Sequence, residues 1–106
     1  MITIHSLRKA GNKVMVLHKR RYFNPVNRRW ELLTQYQRDL SAIPSFVTAD
    51  PRGGVTEIRL TTTTGVDIVA ESRCSKSEGY NKALGVKIAL GRVLNEANQR
   101  TVSVVT

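Results

Sequence analysis

The chain has 106 residues, a formal net charge of +9 and a hydrophobic fraction of 41%. This length suits one core, so we expect a single α+β domain over residues 1–106. No apolar run approaches the roughly 20 residues of a membrane-spanning helix, and the first residues lack the apolar core of a signal peptide. A lone Cys74 excludes an intramolecular disulfide. These features predict a cytoplasmic protein with no membrane partner.

The positive charge is concentrated in the first part of the chain. Up to Trp30 there are eight basic residues and no acidic one, whereas nine basic residues face eight acidic ones from Glu31 onward. The eight are Arg8, Lys9, Lys13, Lys19, Arg20, Arg21, Arg28 and Arg29. Such an excess raises encounter rates with polyanions, although charge alone also serves solubility.

Two segments near the start have the composition of strands. Residues 2–8 alternate in hydrophobicity and residues 13–23 are rich in β-branched and aromatic side chains, while the Gly and Asn between them favour a turn. We therefore predict an antiparallel hairpin. Because side chains alternate across a strand, Lys19 and Arg21 should lie on one face of it, and His18 and Arg20 on the other.

The middle of the chain predicts a helix and a long loop. Apolar residues from Trp30 recur at helical spacing, which favours a helix over residues 28–41, with a strand as the alternative. The segment 41–54 contains Pro44, Pro51 and paired glycines, so we expect a loop there. Long loops often contact ligands.

The second half of the chain has the clearest patterns. Residues 55–73 alternate as in a hairpin with its turn near Gly65, and the capping-box spacing of Ser75 and Glu78 favours a helix from Ser77 to Gln99. Residues 101–106 predict a closing strand or a tail that pairs in an oligomer. The expected fold is α+β: a small antiparallel sheet of two hairpins with one long C-terminal helix and one shorter helix packed on it.

Signatures of catalysis are missing from the sequence. His5 and His18 do not have zinc-site spacing, the carboxylates are scattered singly, and there is no P-loop or GxGxxG pattern. Cys74 is best interpreted as a structural thiol. We therefore expect a binding protein that is not an enzyme and uses no metal or other cofactor.

The C-terminal helix has two distinct faces. One is apolar and is the expected core face: Ala83, Val86, Leu90, Val93, Leu94 and Ala97. The other is small and polar: Asn81, Gly85, Ala89, Arg92 and Glu96. The second face either lets a strand or another helix approach closely, or binds a nucleotide with Arg92 and Lys82 on the phosphates and Asn81 on the base or ribose. Lys76 is placed to add an anion contact at the helix start.

The segment "CSKSEGYNKALGVKIALGR" resembles one that is common in small bacteriophage proteins. The residues that carry the resemblance are Cys74, Tyr80, Lys82, Gly85, Ile88, Ala89, Gly91 and Arg92. The segment is similar to the Thoeris anti-defence sponges, which are oligomers that sequester cyclic nucleotide-derived immune signals without cleaving them. The resemblance implies a homo-oligomer in the cytoplasm of a host cell. It also implies that Arg92 contacts a phosphate and that Tyr80 stacks on a base or packs.

Three functions are compatible with the sequence. The leading one is a phage-type protein that sequesters a nucleotide-derived, phosphate-bearing ligand between subunits and counteracts host immune signalling. The second is a nucleic-acid-binding module whose basic patch contacts phosphates while aromatic residues stack on bases. That patch consists of Lys19, Arg20, Arg21, Arg28 and Arg29. The third is an inhibitor that docks on an acidic host protein.

Overall fold

The structure is a computed structural model that describes residues 2–75, 77–102 and 104. Its elements, in chain order, are α1 (Ile4–Lys9), β1 (Lys13–Asn24), β2 (Arg29–Leu33), α2 (Gln35–Leu40), β3 (Val55–Thr61), β4 (Asp67–Arg73) and α3 (Lys82–Gln99). The predicted α+β class is confirmed: a four-stranded antiparallel sheet lies with one long C-terminal helix and two shorter ones.

The strand order in the sheet is β2-β1-β3-β4. The central strand β1 is long enough to pair with two partners on opposite sides. Along Lys13–Lys19 it pairs with β3, and along Arg20–Asn24 it pairs with β2. The first part of β1 therefore has no strand on its β2 side. This offset creates the cleft described below.

One face of the sheet is covered by α3, and the opposite face is open. The buried core between α3 and the covered face consists of Leu7, Val14, Ile58, Leu60, Ile68, Ala89, Val93 and Ala97. The open sheet face consists of the odd-numbered side chains of β1, β3 and β4 together with Trp30 and Leu32 of β2. Its exposed hydrophobic side chains are Met15, Phe23, Trp30, Leu32 and Val69.

The predicted strand over residues 2–8 is wrong, because this segment contains helix α1. Thr3 and Ser6 form a capping box in which each side chain accepts a hydrogen bond from the other residue's main-chain N–H. These two bonds satisfy amides at the helix start and favour a helix over extended chain. As a result, β1 forms its hairpin with β2 instead.

The predicted helix over residues 28–41 is also wrong in its first half, where the strand alternative is confirmed. Asn24 and Asn27 accept hydrogen bonds from the main chain two residues ahead, which forms a tight turn before β2. Arg28 completes it with a φ of 56°. A shorter helix, α2, begins after Thr34, whose side chain caps it.

Helix α3 begins at Lys82 and not at Ser77. The side chain of Asn81 caps it by accepting from the amide of Leu84. Just before it, Gly79 forms a β-bridge with Arg52 of the long loop, and the Tyr80 amide donates to Pro51 O at 2.9 Å. In the predicted closing strand, residues 101, 102 and 104 are not in a strand, and the remaining positions lie outside the described residues.

The buried face of α3 runs along Gly85, Ala89, Val93 and Ala97. The prediction that Ala83 faces the core is wrong, since this residue is exposed. The predicted core positions Val86, Leu90 and Leu94 are partly buried against the core. The shift occurs because the small residues lie closest to the sheet: a Cβ on Gly85 would lie 3.0 Å from Thr56 Cβ. The prediction of close approach to a strand is thus confirmed.

Candidate functional site

A cleft of about 920 Å³ lies between β1, α2 with the loop that follows it, and the first turn of α3. We call it the β1–α2 cleft. It exists because β2 ends at Leu33, which pairs with Arg20, and the chain then turns away from the sheet into α2. The wall left uncovered is the edge of β1 around Val16 and His18.

The main chain of this edge is available to a ligand. The carbonyl of Arg21 accepts from Asp50 on the β3 side of β1, whereas the carbonyl of Val14 accepts from the guanidinium of Arg8 on the other side. Because these directions alternate along a strand, the main-chain groups of Val16 and His18 point towards the cleft. Within the described residues, no strand pairs with them there.

Tyr80 links the cleft to the core. Its hydroxyl oxygen lies 2.8 Å from Nδ1 of His18 and 2.9 Å from Oγ1 of the buried Thr56. Its ring packs directly on Gly54, where a Cβ would lie 2.7 Å from the ring, and where φ is +104°. Glycine is therefore required at this position for Tyr80 to reach His18.

The surroundings of His18 favour its neutral form. Burial lowers the pKa of His18, and the nearby positive charge of Lys82 lowers this pKa further. Both causes disfavour the imidazolium. At neutral pH the imidazole therefore contributes a hydrogen-bonding group and no charge, and an anion bound beside it would shift it towards the charged form.

Two cationic side chains from different elements line the same cleft. The guanidinium of Arg20 lies 4.6 Å from the centroid of the Tyr80 ring and donates to the Asp50 carbonyl, and its buried Nε has no hydrogen-bond partner among the described residues. Lys82 is exposed in the first turn of α3 and forms no ion pair in the described part of the chain. Asp39 is the one carboxylate among the described lining residues. The cleft is therefore electropositive.

Arg38 also lines the cleft but has a structural role. It is buried, and its guanidinium donates to the carbonyls of Ile43, Pro44 and Val47. It also lies over the ring of Tyr22 at 5.5 Å. These contacts hold the loop after α2 in place, so that Arg38 shapes the wall opposite β1.

The residues predicted on the C-terminal helix are not all brought together. Lys82 lines the cleft, and Tyr80 contacts the cleft residues His18 and Arg20 without lining it, while Asn81 between them is occupied as the cap of α3. Gly85 is buried against the sheet. Arg92 lies ten residues beyond Lys82, about 15 Å along the axis, and donates to Glu71 O at 2.7 Å.

The predicted basic patch is divided by the sheet. Lys19 and Arg21 lie on the open face, as the alternation predicts, and Arg20 lies on the opposite side in the cleft. Arg28 and Arg29 are exposed at the end of the β1–β2 hairpin. One further predicted residue, Lys76, lies outside the described residues.

Most of the residues that line the cleft were not selected from the sequence, among them His18 and Tyr36. The contact of His18 with Tyr80 joins positions 62 residues apart. Tyr36 was assigned to a longer helix, whereas it is 73% exposed on the short helix α2 beside the cleft. The local sequence contains no signal for either contact.

Comparison with models of protein families, with curated proteins and with solved structures finds no match to this chain. Within residues 2–75, 77–102 and 104, no three His, Cys, Asp or Glu side chains are grouped so that they could hold a metal ion. In the same part of the chain, no helix has the length and apolar character needed to cross a bilayer.

Proposed function

We propose that this protein is a non-enzymatic binding protein for a phosphate-bearing, nucleotide-type anion held in the β1–α2 cleft. The observation that carries the proposal is the convergence of Arg20 and Lys82, from β1 and α3, on one cleft beside His18 and Tyr80. Arginine and lysine together suit phosphate, because the guanidinium offers a planar set of donors and the ammonium a compact charge.

The other parts of the cleft favour a nucleotide over a bare phosphate. A volume of about 920 Å³ lies near the upper end of the range of roughly 300–1,000 Å³ typical of small-molecule sites. Tyr36 presents an exposed ring on which a base can stack. The main-chain groups of Val16 and His18 offer both donors and acceptors to the edge of a base.

The biological role implied by the resemblance of the C-terminal helix stays a prediction. Counteracting host immune signalling by sequestration requires a bound nucleotide, but Arg92, the residue that the resemblance marks as the phosphate contact, lies apart from the cleft. We therefore assign the phosphate contacts to Arg20 and Lys82. Docking on an acidic protein through these cations is the alternative that absence of nucleotide binding in the experiment below would favour.

The test is calorimetry of the purified protein with cyclic dinucleotides, cyclic ADP-ribose and inorganic pyrophosphate, preceded by mass spectrometry of small molecules released on denaturation. Lys82→Ala should weaken binding of a nucleotide about 10-fold, since one charge-assisted hydrogen bond is lost. Lys87→Ala is the matched control, because Lys87 is exposed on the same helix and does not line the cleft.

The results are decisive in either direction. Tighter binding of a cyclic nucleotide than of pyrophosphate, weakened by Lys82→Ala alone, supports the proposal. Absence of binding by every nucleotide at micromolar protein overturns it. Equal weakening by the two lysine variants also contradicts it, because the ligand would then be responding to net charge and not to a site.

A further inference from the structure

The open sheet face has two regions with different charge. In the region formed by β3 and β4, cations are paired with carboxylates of the same face: Arg59 lies 2.7 Å from Glu57, and Arg73 lies 2.7 Å from Glu71. The β1–β2 hairpin differs at its tip. Lys19 and Arg21 of the open face are paired with Glu57 and Asp50, and Arg20 lies on the opposite side in the cleft. The unpaired cations of the hairpin are therefore those at its tip.

Two aromatic side chains lie next to each other on the hairpin. Phe23 and Trp30 are directly paired across β1 and β2, with ring centroids 5.4 Å apart, and both remain exposed. The guanidinium of Arg21 lies 4.5 Å from the centroid of the Trp30 ring and is fixed by Asp50 at 3.2 Å. Exposed aromatic rings on a sheet, with a stacked guanidinium, form a preorganised stacking platform.

The remaining cations of the hairpin lie at its tip. Arg28 and Arg29 are exposed and form no ion pair in the described part of the chain. Their main chain is held by Asn27, whose side-chain oxygen accepts from the Arg29 amide at 3.1 Å. Because side chains alternate along β2, Arg29 lies on the face opposite Trp30, which leaves Arg28 in the turn as the free cation next to the aromatic pair.

From this arrangement we infer that the hairpin binds single-stranded nucleic acid on the open sheet face. Bases stack on Phe23 and Trp30, Arg28 at the tip contacts a phosphate, and Arg21, held by Asp50, stays stacked on Trp30. A single strand fits because stacking on side chains needs accessible base faces, which a duplex hides. Stacking also tolerates any sequence, so we expect little base preference. The inference does not depend on the ligand of the β1–α2 cleft, which lies on the other side of the sheet.

The experiment uses the single tryptophan of the chain as the reporter. Labelled 15-mers of oligo-dT and oligo-U are titrated with the protein, and both anisotropy and Trp30 fluorescence are recorded. We expect saturable binding, quenching of Trp30, and an affinity that falls with salt by a log–log slope of about −0.7 per neutralised phosphate. The two oligonucleotides decide whether DNA or RNA is preferred.

Matched variants locate the site. Trp30→Leu should weaken binding at least about 5-fold through loss of stacking. Met15→Leu should not weaken it, because Met15 is an exposed apolar residue on the same face but in the part of β1 that does not pair with β2. Arg28→Ala should reduce the salt slope, whereas Arg59→Ala in the neutral region should leave it unchanged.

Several results would overturn the inference. Binding without quenching of Trp30, or equal effects of Arg59→Ala and the tip variant, would place the nucleic acid elsewhere. Binding of polyglutamate as tight as that of the oligonucleotides would indicate an acidic protein as the partner. Lys82→Ala should retain oligonucleotide binding, so failure of this inference and failure of the cleft proposal can be distinguished.

Discussion

Gly85 of α3 lies directly against Thr56 of β3, so closely that a Cβ on Gly85 would overlap the threonine hydroxyl oxygen. Thr56 is fully buried, and this same hydroxyl lies 2.9 Å from the hydroxyl of Tyr80. One close contact between a helix and a strand therefore supports both the packing of α3 and the side chain of Tyr80, which contacts His18 and Arg20 of the β1–α2 cleft.

In Gly85→Ala the added methyl group displaces Thr56 or lifts α3 from the sheet, at a cost of about 1–3 kcal/mol of unfolding free energy. The helix-propensity gain of about 1 kcal/mol offsets part of this cost, so we expect a net destabilisation of up to about 2 kcal/mol. Gly91→Ala is the control in the same helix, since a Cβ there meets open space, and it should stabilise by up to about 1 kcal/mol. Urea denaturation measures both. Equal stability of the two variants would contradict the close contact.

Substitution Tyr80→Phe should cost about 1–2 kcal/mol of unfolding free energy, because the buried Thr56 hydroxyl loses a partner while the ring stays packed on Gly54 and Arg20. Tyr36→Phe serves as the control. Because Tyr36 is mostly exposed, this variant should change the unfolding free energy of the protein by less than about 0.5 kcal/mol. Chemical denaturation at pH 7.5 is the measurement. A cost no greater for Tyr80→Phe than for Tyr36→Phe would show that the hydroxyl network contributes nothing.

The lowered pKa of His18 predicts how stability depends on pH. The pKa is lowered first by burial and then by the positive charge of Lys82. The other polar groups near His18 are Tyr80, whose hydroxyl contacts its ring, and Arg20, which lies over the Tyr80 ring. Because the pKa is lower in the folded chain, the unfolded chain binds a proton first as the pH falls. The contribution of neutral His18 to the free energy of unfolding is therefore complete above the ordinary histidine pKa of about 6.5. It is lost as the pH falls below about 6.5 towards the lower pKa of His18 in the folded chain.

Urea midpoints measured between pH 5 and 8 check this dependence. They should fall on the acid side, and His18→Gln should flatten the slope. His5→Gln is the matched control because His5 is exposed in α1. An unchanged slope in His18→Gln would assign the acid sensitivity to other groups.

The fold is predictable from sequence where the pattern is long and local. Residues 55–73 alternate regularly, and the structure has the β3–β4 hairpin there. The segments whose predicted structure is wrong are short, and in them local hydrogen bonds outweigh the hydrophobic pattern. Thr3 and Ser6 cap a helix where alternation predicted a strand, and the turn ending at Arg28 starts a strand where the spacing predicted a helix.

The candidate site is less predictable because it depends on contacts between distant parts of the chain. Lys82 and Arg20 were both identified as cations, yet nothing in their local sequence shows that they line the same cleft. The position of His18 depends on Tyr80, which in turn depends on Gly54 and on a loop hydrogen bond to Pro51. Such a chain of contacts follows from the topology and not from composition or periodicity.

Arg92 has a structural role that yields the last prediction. Arg92 donates to Glu71 O at 2.7 Å, and Arg100, the C-cap residue of α3, donates to Asp67 O at 3.3 Å. Both acceptors are carbonyls of the edge strand β4 that point away from the sheet. Carbonyls on a free strand edge invite pairing with another chain, and charged side chains that occupy them block it.

The double variant Arg92→Ala/Arg100→Ala should therefore self-associate more readily than the native protein, with little change in nucleotide binding by the cleft. Light scattering across a concentration series measures association, and calorimetry measures binding. Lys87→Ala, paired with Lys9→Ala, is the control that removes two exposed charges without freeing a carbonyl of β4. If the control variant self-associates as readily as the double variant, then association depends on net charge and not on the capped carbonyls of β4. If Arg92→Ala alone abolishes nucleotide binding, the phosphate contact lies at Arg92, as the resemblance implies, and the cleft assignment fails.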